Sequence, residues 1–298
     1  MNLLNLVSDI QTADPEFADR ISPRRAAIKN ITSFGSKVAV AALPFAFSTL
    51  FKKAYGQTAT RSVADVLNLA LTAELLEAGF YRTGLATTNL IASADRANFQ
   101  IISNDENNHV TFLKSLLGSG VSATNATLGN TANTAAPTLV FDFAGNKGNP
   151  VNAPFPTVFT DYQIFLAVAS TFEDFGVRAY KGQAGFLKGL QTELTVALNI
   201  HSVEARHASF LRRLRASYAT GATTLKPWIT ADGNTATGLT GTGLAATTAA
   251  AVYSGEANTT QAGVNLTAIG TAAAVQESFD EPIDTVTAQT IVGLFVRA

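Results

Sequence analysis

The chain has no cysteine among its 298 residues, and its single methionine is Met1. Without cysteine there are no disulfides, no thiolate metal sites, no iron–sulfur clusters and no catalysis by a nucleophilic thiol. Without a methionine inside the fold, a haem ligated by methionine is excluded. The sequence therefore predicts no haem and no thiol chemistry.

Charge is also scarce. Charged residues make up 14% of the chain, apolar residues 47%, and the net charge is −1. This balance gives no general attraction to nucleic acid or to an acidic membrane surface, so we expect no nucleic-acid partner. The apolar content is sufficient for a sizeable core, and the length fits one large domain or two modest ones.

Long apolar runs are missing as well, and the one moderate run follows a basic stretch near the N-terminus. "SPRRAAIK" (Ser22–Lys29) precedes the apolar stretch Val38–Phe51, which is too short to span a bilayer comfortably and is interrupted by Pro44. With a possible cleavage point after Gly56, residues 1–57 resemble a twin-arginine export signal. This predicts a periplasmic or cell-surface protein without an integral membrane span in the mature chain. The alternative is an N-terminal amphipathic helix in a cytoplasmic protein.

Beyond these residues the periodicity becomes helical. Apolar residues recur at spacings of three and four, and Ser62 followed by Asp65 forms a start like a capping box. Short links follow the first and third helices, so we expect two antiparallel helix pairs. The predicted helices span Ser62–Ile91, Ser93–Gly118, Thr160–Leu187 and Gln191–Tyr218.

Two low-charge segments lie outside the predicted helices. The insertion 119–159 contains the strand-like run Thr138–Phe143, which predicts a loop or small hairpin, and it is long enough to cross the length of a bundle. The tail 219–298 is rich in Ala, Thr and Gly and is expected to be irregular or weakly β, with a possible closing helix at Asp284–Phe295. The predicted domain organisation is a signal or helix at 1–57, a bundle at 58–218 and an extension at 219–298.

The two helix pairs repeat one pattern. In each pair a glutamate is followed seven residues later by a tyrosine, and the next helix carries Glu-x-x-His. The chain has only three histidines, and two of them lie in these motifs, "ENNH" and "EARH". The repeated residues are Glu74, Tyr81, Glu106 and His109 in the first pair, and Glu173, Tyr180, Glu204 and His207 in the second.

The spacing of these residues has a chemical meaning. On a helix, residues three apart share a face, so a glutamate and a histidine can reach the same ion. In an antiparallel bundle, four carboxylates and two imidazoles would converge on the core. Four buried carboxylates carry a charge of −4 and would repel one another strongly, whereas two divalent cations cancel that charge. Oxygen and imidazole ligands suit Fe and Mn, with Fe favoured here.

The stretches "LTAELLEAGFY", "NDENNHV", "STFEDFGVRAY" and "HSVEARHASFL" resemble the ferritin-like superfamily of dimetal four-helix bundles. Together with "FDEPIDTVTAQTIVGLF" near the C-terminus, they are similar to bacterial ferritin-like-domain proteins, some of which are labelled desiccation-related. The resemblance covers about Arg61–Tyr218 and the last twenty or so residues. It implies an all-α core, a ferritin-like antiparallel four-helix bundle with a long crossover between the second and third helices.

The resemblance also implies a role for each motif residue. One glutamate from the first and one from the third helix would each bind a single metal, two glutamates would bridge both metals, and each histidine would bind one metal. In that order, the residues are Glu74 and Glu173, Glu106 and Glu204, and His109 and His207.

Three further residues take roles from the same resemblance. Tyr81 and Tyr180 match positions near the metals, where a phenol donates a hydrogen bond or an electron, so they are the candidate catalytic side chains. Asp105 precedes Glu106 and can orient a histidine from the other helix pair. The second pair has Val203 at the corresponding place, so this arrangement is not expected to be symmetric.

The remaining polar and aromatic residues of the helices have simpler interpretations. Glu77, Asp174 and Arg206 are expected to be helix-surface charges or partners outside the metal ligands. His201 is expected to have a structural role, because it lies about 120° around the helix from His207. The phenylalanines predicted to be in the core are Phe80, Phe112, Phe165, Phe172 and Phe210.

Three functions are compatible with this sequence. The first is an oxidoreductase whose small-molecule partner is O2 or H2O2, either ferroxidase-like with iron or manganese-catalase-like. The second is an exported structural or stress-protective protein in which the metal is structural or absent and the extensions mediate assembly. The third, ranked lower, is storage in a ferritin-style cage. A homo-oligomer is compatible with each of them.

Overall fold

A computed structural model describes residues 61–122, 141–147, 149, 153–218, 225–230 and 251–297. The predicted export signal and the first half of the strand-like run Thr138–Phe143 lie outside the described residues. Within them, four long helices form the bundle, which confirms the predicted fold class. They are α1 (Val63–Ala86), α2 (Arg96–Leu117), α3 (Tyr162–Ala184) and α4 (Gln191–Tyr218).

Contacts between helix ends show that each pair is antiparallel. In the first pair, the Asn68 side chain near the start of α1 accepts a hydrogen bond from the backbone of Ser122, just beyond α2. At the other end, Arg96 donates to the carbonyl of Leu85. In the second pair, Gln163 at the start of α3 reaches the carbonyl of Tyr218 at the end of α4. This arrangement places the middle of every helix at the same level of the bundle.

Helix α1 ends earlier than predicted. It stops at Ala86 rather than Ile91, because Thr87 is extended and Asn89 adopts a left-handed conformation with φ of 61°. Leu90 and Ile91 remain buried in the core although they lie outside the helix, which explains why their apolar character continued the helical pattern.

Helix α2 begins at Arg96, three residues after the predicted start at Ser93. The residue at the cap position is Asp95, whose side chain makes no capping hydrogen bond. Its carboxylate instead accepts from the hydroxyls of Tyr162 and Tyr218, at 2.7 and 2.6 Å. Asp95 thus ties the first helix pair to the second at this end of the bundle.

Aromatic side chains fill the interior between the helix pairs. Phe80 stacks on Phe165 with ring centroids 4.8 Å apart and meets Phe172 edge to face at 5.1 Å. These three are buried as predicted, and Phe210 packs partly buried against the same core. The prediction for Phe112 was wrong: it is 49% exposed, because the neighbouring Leu113 occupies the inward position of α2.

The C-terminal residues pack on the outer side of α1 and α3. A short helix, Thr285–Gly293, is capped by Asp284 close to where a closing helix was expected. Its apolar residues join a second cluster with Phe175 and Ala179 of α3. The chain passes so close to α3 that a Cβ on Gly182 would lie 1.9 Å from the carbonyl oxygen of Ile283. Glycine is therefore required at that crossing.

A buried arginine fastens this segment. Arg178 of α3 is fully buried, forms an ion pair with Glu256 at 2.7 Å and donates to the carbonyl of Glu281, also at 2.7 Å. Two further carbonyls, those of Val252 and Ser254, accept from its guanidinium. These tail residues are thus attached to α3.

Residues 259–275 belong to a second, smaller unit. Within it, the strands Thr260–Gln261 and Val264–Asn265 pair antiparallel in a short hairpin. A 3-10 turn at Leu266–Ala268 follows the hairpin. The short helix Ala272–Gln276 begins near the end of this unit.

Among all helices in the described ranges, none is both long and apolar enough to cross a membrane.

Candidate metal centre

The six predicted ligands meet in the middle of the bundle. The four glutamates are fully buried, and the histidines are 9% and 7% exposed. The ligands of each helix lie at the same level of the bundle, because the helix pairs are antiparallel. Spacings of three and seven residues return side chains to the same face of a helix. The residues brought together are Glu74, Glu106, His109, Glu173, Glu204 and His207.

These side chains form two overlapping groups, each able to hold a metal ion. In each group, one ligand atom per residue lies within 4.8 Å of all the others. Glu106 and Glu204 belong to both groups, which is the placement that bridging ligands need. The first group adds Glu74 and His109, and the second adds Glu173 and His207.

Both histidines turn Nδ1 toward the carboxylates. His109 Nδ1 lies 3.1 Å from Glu74 Oε2 and 3.1 Å from Glu106 Oε2. His207 Nδ1 lies 3.2 Å from Glu173 Oε2 and 2.9 Å from Glu106 Oε1. The same nitrogen of each ring is therefore positioned to share an ion with the surrounding carboxylate oxygens.

Glu204 provides the clearest test of whether a metal fits. Its carboxylate is fully buried, and among the described residues neither oxygen has a hydrogen-bond partner with acceptable geometry. The nearest cationic candidate is His109 Nδ1, 3.4 Å from Oε1. A buried carboxylate left in this state is unfavourable unless a cation or a proton occupies the site. The donor set of carboxylates and imidazoles fits two Fe or Mn ions.

Gly176 of α3 makes room for this carboxylate. A Cβ at that position would lie 2.6 Å from Glu204 Oε2, which is closer than real Cβ atoms come to a neighbour. Glu204 therefore approaches the α3 backbone to a degree that only glycine allows. The corresponding position in the first helix pair, three residues after Glu74, is Glu77.

The two tyrosines connect the helix pairs crosswise. Tyr81 of the first pair donates to Glu173 of the second, and Tyr180 of the second donates to Glu74 of the first at 2.5 Å. Burial, followed by the charge of the acceptor glutamate, raises the pKa of both phenols well above the usual value. Both hydroxyls thus remain protonated and hold the two non-bridging glutamates in place.

Asp105 lies where the resemblance implied. Its Oδ2 is 3.2 Å from Nε2 of His207, a histidine from the other helix pair. With Nε2 donating to Asp105, the tautomer of His207 leaves Nδ1 free to bind a cation. For Nε2 of His109, the described residues provide no such acceptor. This agrees with the sequence, which has Val203 before Glu204 where the first pair has Asp105 before Glu106.

Glu106, Glu204 and His207 of this cluster hold their protons more tightly than they do in water. Burial, together with the charge of Glu173, raises the pKa of Glu106 to about 7. Burial and the neighbouring glutamates raise the pKa of Glu204 well above its usual range. Burial disfavours protonation of His207, but the charge of Glu173 and a hydrogen bond to Glu106 outweigh it and raise the pKa to about 12. Protons thus partly neutralise the cluster when no cation is bound.

Glu77 is a fifth buried carboxylate beside the cluster. It is 1% exposed, and its Oε1 has no hydrogen-bond partner among the described residues. Burial, then the charge of Glu204, raises the pKa of Glu77 well above its usual value. It is not a helix-surface charge, which leaves the other interpretation, a partner beyond the six ligands. The spacing of three from Glu74 was the available signal, because it places both on one helix face.

Asp174 was likewise wrongly considered as a possible surface charge. It is fully buried, forms an ion pair with Arg212 of α4 and accepts from the hydroxyl of Tyr253 at 2.7 Å. Because Asp174 follows Glu173 directly, the C-terminal segment is linked to the residue next to a predicted ligand. Arg206 is exposed as expected, and His201 Nδ1 lies 2.9 Å from the carbonyl oxygen of Val177, a structural contact.

Fold and site together define a four-helix-bundle protein with a buried carboxylate–histidine cluster that is compatible with a dimetal site. Comparison with protein families gives the same class: the model of the ferritin-like domain matches residues 62–217, slightly more than half of the chain. The chain therefore belongs to the ferritin-like domain family. Searches of curated proteins and of solved structures gave no significant match.

Proposed function

We propose that this protein binds two iron ions in the bundle core and oxidises Fe(II) with dioxygen or hydrogen peroxide. The observation that carries the proposal is the pair of overlapping ligand groups sharing Glu106 and Glu204. In this assignment Glu74 and His109 would hold one ion, and Glu173 and His207 the other. The proposal covers the metal-binding roles of these residues, which the sequence predicted.

The charge of the site favours a redox role over simple metal binding. Two divalent ions balance the four glutamate ligands, and Glu77 adds one more buried acid. An additional negative charge stabilises a metal pair that has become more positive by losing electrons. Bound there, a ferrous pair supplies two electrons, which with two protons reduce dioxygen to hydrogen peroxide or hydrogen peroxide to two waters.

The surrounding residues hold the site in one geometry for this chemistry. Tyr81 and Tyr180 fix the non-bridging glutamates from opposite helix pairs. Asp105 fixes the ring of His207. Groups held in advance need not reorganise when charge changes at the site, which lowers the barrier for electron transfer to the oxidant.

Anaerobic loading tests the proposal directly. Metal-free protein is given two Fe(II) per chain and then mixed with dioxygen or with hydrogen peroxide, and ferric absorbance is followed. We expect oxidation faster than that of Fe(II) in buffer. The comparison protein carries Glu106→Gln and Glu204→Gln, which keep side-chain shape and remove the shared charges. Glu193→Gln, near the start of α4, is the matched control.

Equal oxidation rates in the unmodified protein and in the double variant would refute the proposal. A manganese-catalase-like activity is the close variant of the same site. It is distinguished by loading Mn(II) and measuring oxygen release from hydrogen peroxide, together with the metal content of protein purified from its source.

A second candidate function follows from the way the tail is fastened. The buried ion pair of Arg178 with Glu256 and the hydrogen bond from Tyr253 to Asp174 attach the tail to the bundle, and the metal cluster does not need this attachment. We propose, as the alternative, an exported stress-protective protein in which the metal only holds the bundle together. A large loss of thermal stability on metal removal, with no oxidation by either oxidant, would favour this alternative.

We also propose export through the twin-arginine route. Support comes from the sequence of residues 1–57, which lie outside the described residues. Replacing Arg24 and Arg25 with lysine is expected to retain the protein in the cytoplasm, as measured by cell fractionation. Unchanged periplasmic recovery of this variant would contradict the proposal.

A further inference from the structure

An apolar cavity lies inside the bundle at one end of the cluster. All four long helices contribute to its wall, with Leu67 and Ala73 from α1, Leu113 from α2, Ala179 from α3 and Ala197 from α4 among the lining residues. The centre of a water-sized molecule can occupy about 20 Å³ of it, which is room for one small molecule. Gln183 also lines the cavity, but the described residues expose no polar surface to it.

The inner wall of the cavity is shared with the candidate metal centre. Tyr180 lines the cavity with its ring and donates its hydroxyl to Glu74. Gly176 also lines it, and this is the residue against which the Glu204 carboxylate rests. Tyr180 and Gly176 therefore adjoin both the cavity and the predicted ligands.

The lining selects the kind of molecule that can enter. Water requires two to four polar partners in a buried site, and cavities lined only by apolar groups stay dry and take up small apolar molecules or xenon. Hydrogen peroxide would lose its hydrogen bonds in such a place without replacement. Dioxygen is small, apolar and uncharged, so transfer from water into this cavity is favourable for it.

We infer that this cavity binds dioxygen and delivers it to the metal centre, which makes dioxygen rather than hydrogen peroxide the oxidant of the proposed function. The inference rests on that function for the delivery step, whereas the binding step depends only on the cavity. It also gives a role to the small side chains Ala70, Ala73 and Ala197, which keep the space open.

Xenon tests the binding step without any metal or turnover. Crystals of the protein pressurised with xenon are expected to show xenon between α1 and α3, in contact with Tyr180. Absence of xenon from the cavity would overturn the inference even if the protein oxidises Fe(II). Continuous density for a longer apolar molecule in unpressurised crystals would also overturn it.

Filling the cavity tests the delivery step. Ala197→Leu fills its buried part and Ala70→Leu its less buried side, so that one variant remains informative if the other folds poorly. We expect either change to slow oxidation by dioxygen about tenfold, equivalent to about 1.4 kcal/mol in the barrier. The rate with hydrogen peroxide and the affinity for Fe(II) in anaerobic calorimetry should remain unchanged.

The matched control is Ala64→Leu, an exposed position on α1 outside the cavity. Equal dioxygen rates in the filled variants and this control would overturn delivery, as would a parallel loss of the hydrogen peroxide rate. Failure of the unmodified protein to oxidise Fe(II) with either oxidant refutes the proposed function itself, whereas xenon in the cavity would still support the binding site.

Discussion

Among single residues, Glu77 has the largest consequence for the chemistry of the site. Its carboxylate is buried beside four others and lacks a partner on Oε1 among the described residues. A cation bound in the cluster would favour the ionised form of Glu77, whose negative charge would then act on that cation. The other four carboxylates can be assigned as ligands, which leaves Glu77 free to set the charge of the site.

We predict that Glu77→Gln retains two metal ions per chain but shifts the reduction potential of the bound iron to more positive values. The amide keeps the shape and removes one negative charge, so oxidised iron is stabilised less. Potentiometric titration of the loaded protein measures the shift, with Glu193→Gln as the control. Loss of one metal ion in the Gln variant would instead show that Glu77 is itself a ligand.

At the residue scale, the sequence identified the side chains that belong to a repeated motif. It was less informative about side chains whose role depends on whether they are buried. The i, i+3 spacing in each Glu-x-x-His motif, together with the order of the helices, was enough to bring six residues together. The same spacing between Glu74 and Glu77 was interpreted less well, because helix-surface acids are common. Whether an acid is buried depends on tertiary packing, and a single sequence does not contain that information.

At the scale of elements, the close approach of α3 and α4 depends on Gly176. We predict that Gly176→Ala weakens metal binding about 10- to 100-fold, because the new Cβ displaces the Glu204 carboxylate without removing it. The helix itself should not be destabilised, since Ala is favoured over Gly in a helix interior by about 0.5–1 kcal/mol. Calorimetric titration with Mn(II) measures the affinity, and thermal melting measures stability.

Gly293→Ala is the matched control for this change, since a Cβ there would have nothing within 4 Å. Unchanged metal affinity in Gly176→Ala would show that Glu204 does not need its present position to bind metal.

The attachment of the C-terminal segment to α3 depends on Arg178. We predict that Arg178→Met lowers the free energy of unfolding by roughly 3–5 kcal/mol, because Glu256 is left as an uncompensated buried charge. Adding Glu256→Gln should recover part of this loss. Urea denaturation measures both, and Arg213→Met, at an exposed position of α4, should change stability by less than about 0.5 kcal/mol. Equal effects of the two arginine changes would contradict this account.

The long helices were predictable as elements because their apolar spacing continues over many turns, and α4 matches its predicted bounds Gln191–Tyr218. Their ends were less predictable. Leu90 and Ile91 are buried although they are not helical. The Asp95 side chain accepts hydrogen bonds from two tyrosines and does not cap the helix. In both cases tertiary contacts override a local signal.

For the whole molecule, the cluster makes stability depend on pH. In the metal-free protein, the pKa of Glu106 rises to about 7 and that of His207 to about 12 on folding, so the folded state holds more protons than the unfolded state. Stability must then fall as pH rises from about 4.5 through 7 for Glu106, and from about 6.5 upward for His207.

We therefore predict that the metal-free protein loses thermal stability steadily between pH 5 and pH 9. Metal binding displaces these protons, so the increase in melting temperature caused by Mn(II) should grow over the same range. Scanning calorimetry with and without metal measures both trends. A metal-free protein that becomes more stable with rising pH would contradict the account of the cluster.

The packing of the tail was the part of the whole molecule that the sequence did not predict. Its composition of Ala, Thr and Gly indicated irregular structure. The contacts that fix it come from Arg178 and Asp174 of the bundle, which are far from it in sequence. The predicted division between bundle and extension at residue 218 stays a prediction.

The most direct test of the central claim is anomalous scattering at the iron edge from crystals of the iron-loaded protein. The account predicts two peaks in the bundle core, about 3.5–4 Å apart, with Glu106 and Glu204 between them. A single peak, or iron bound only outside the six-residue cluster, would contradict it.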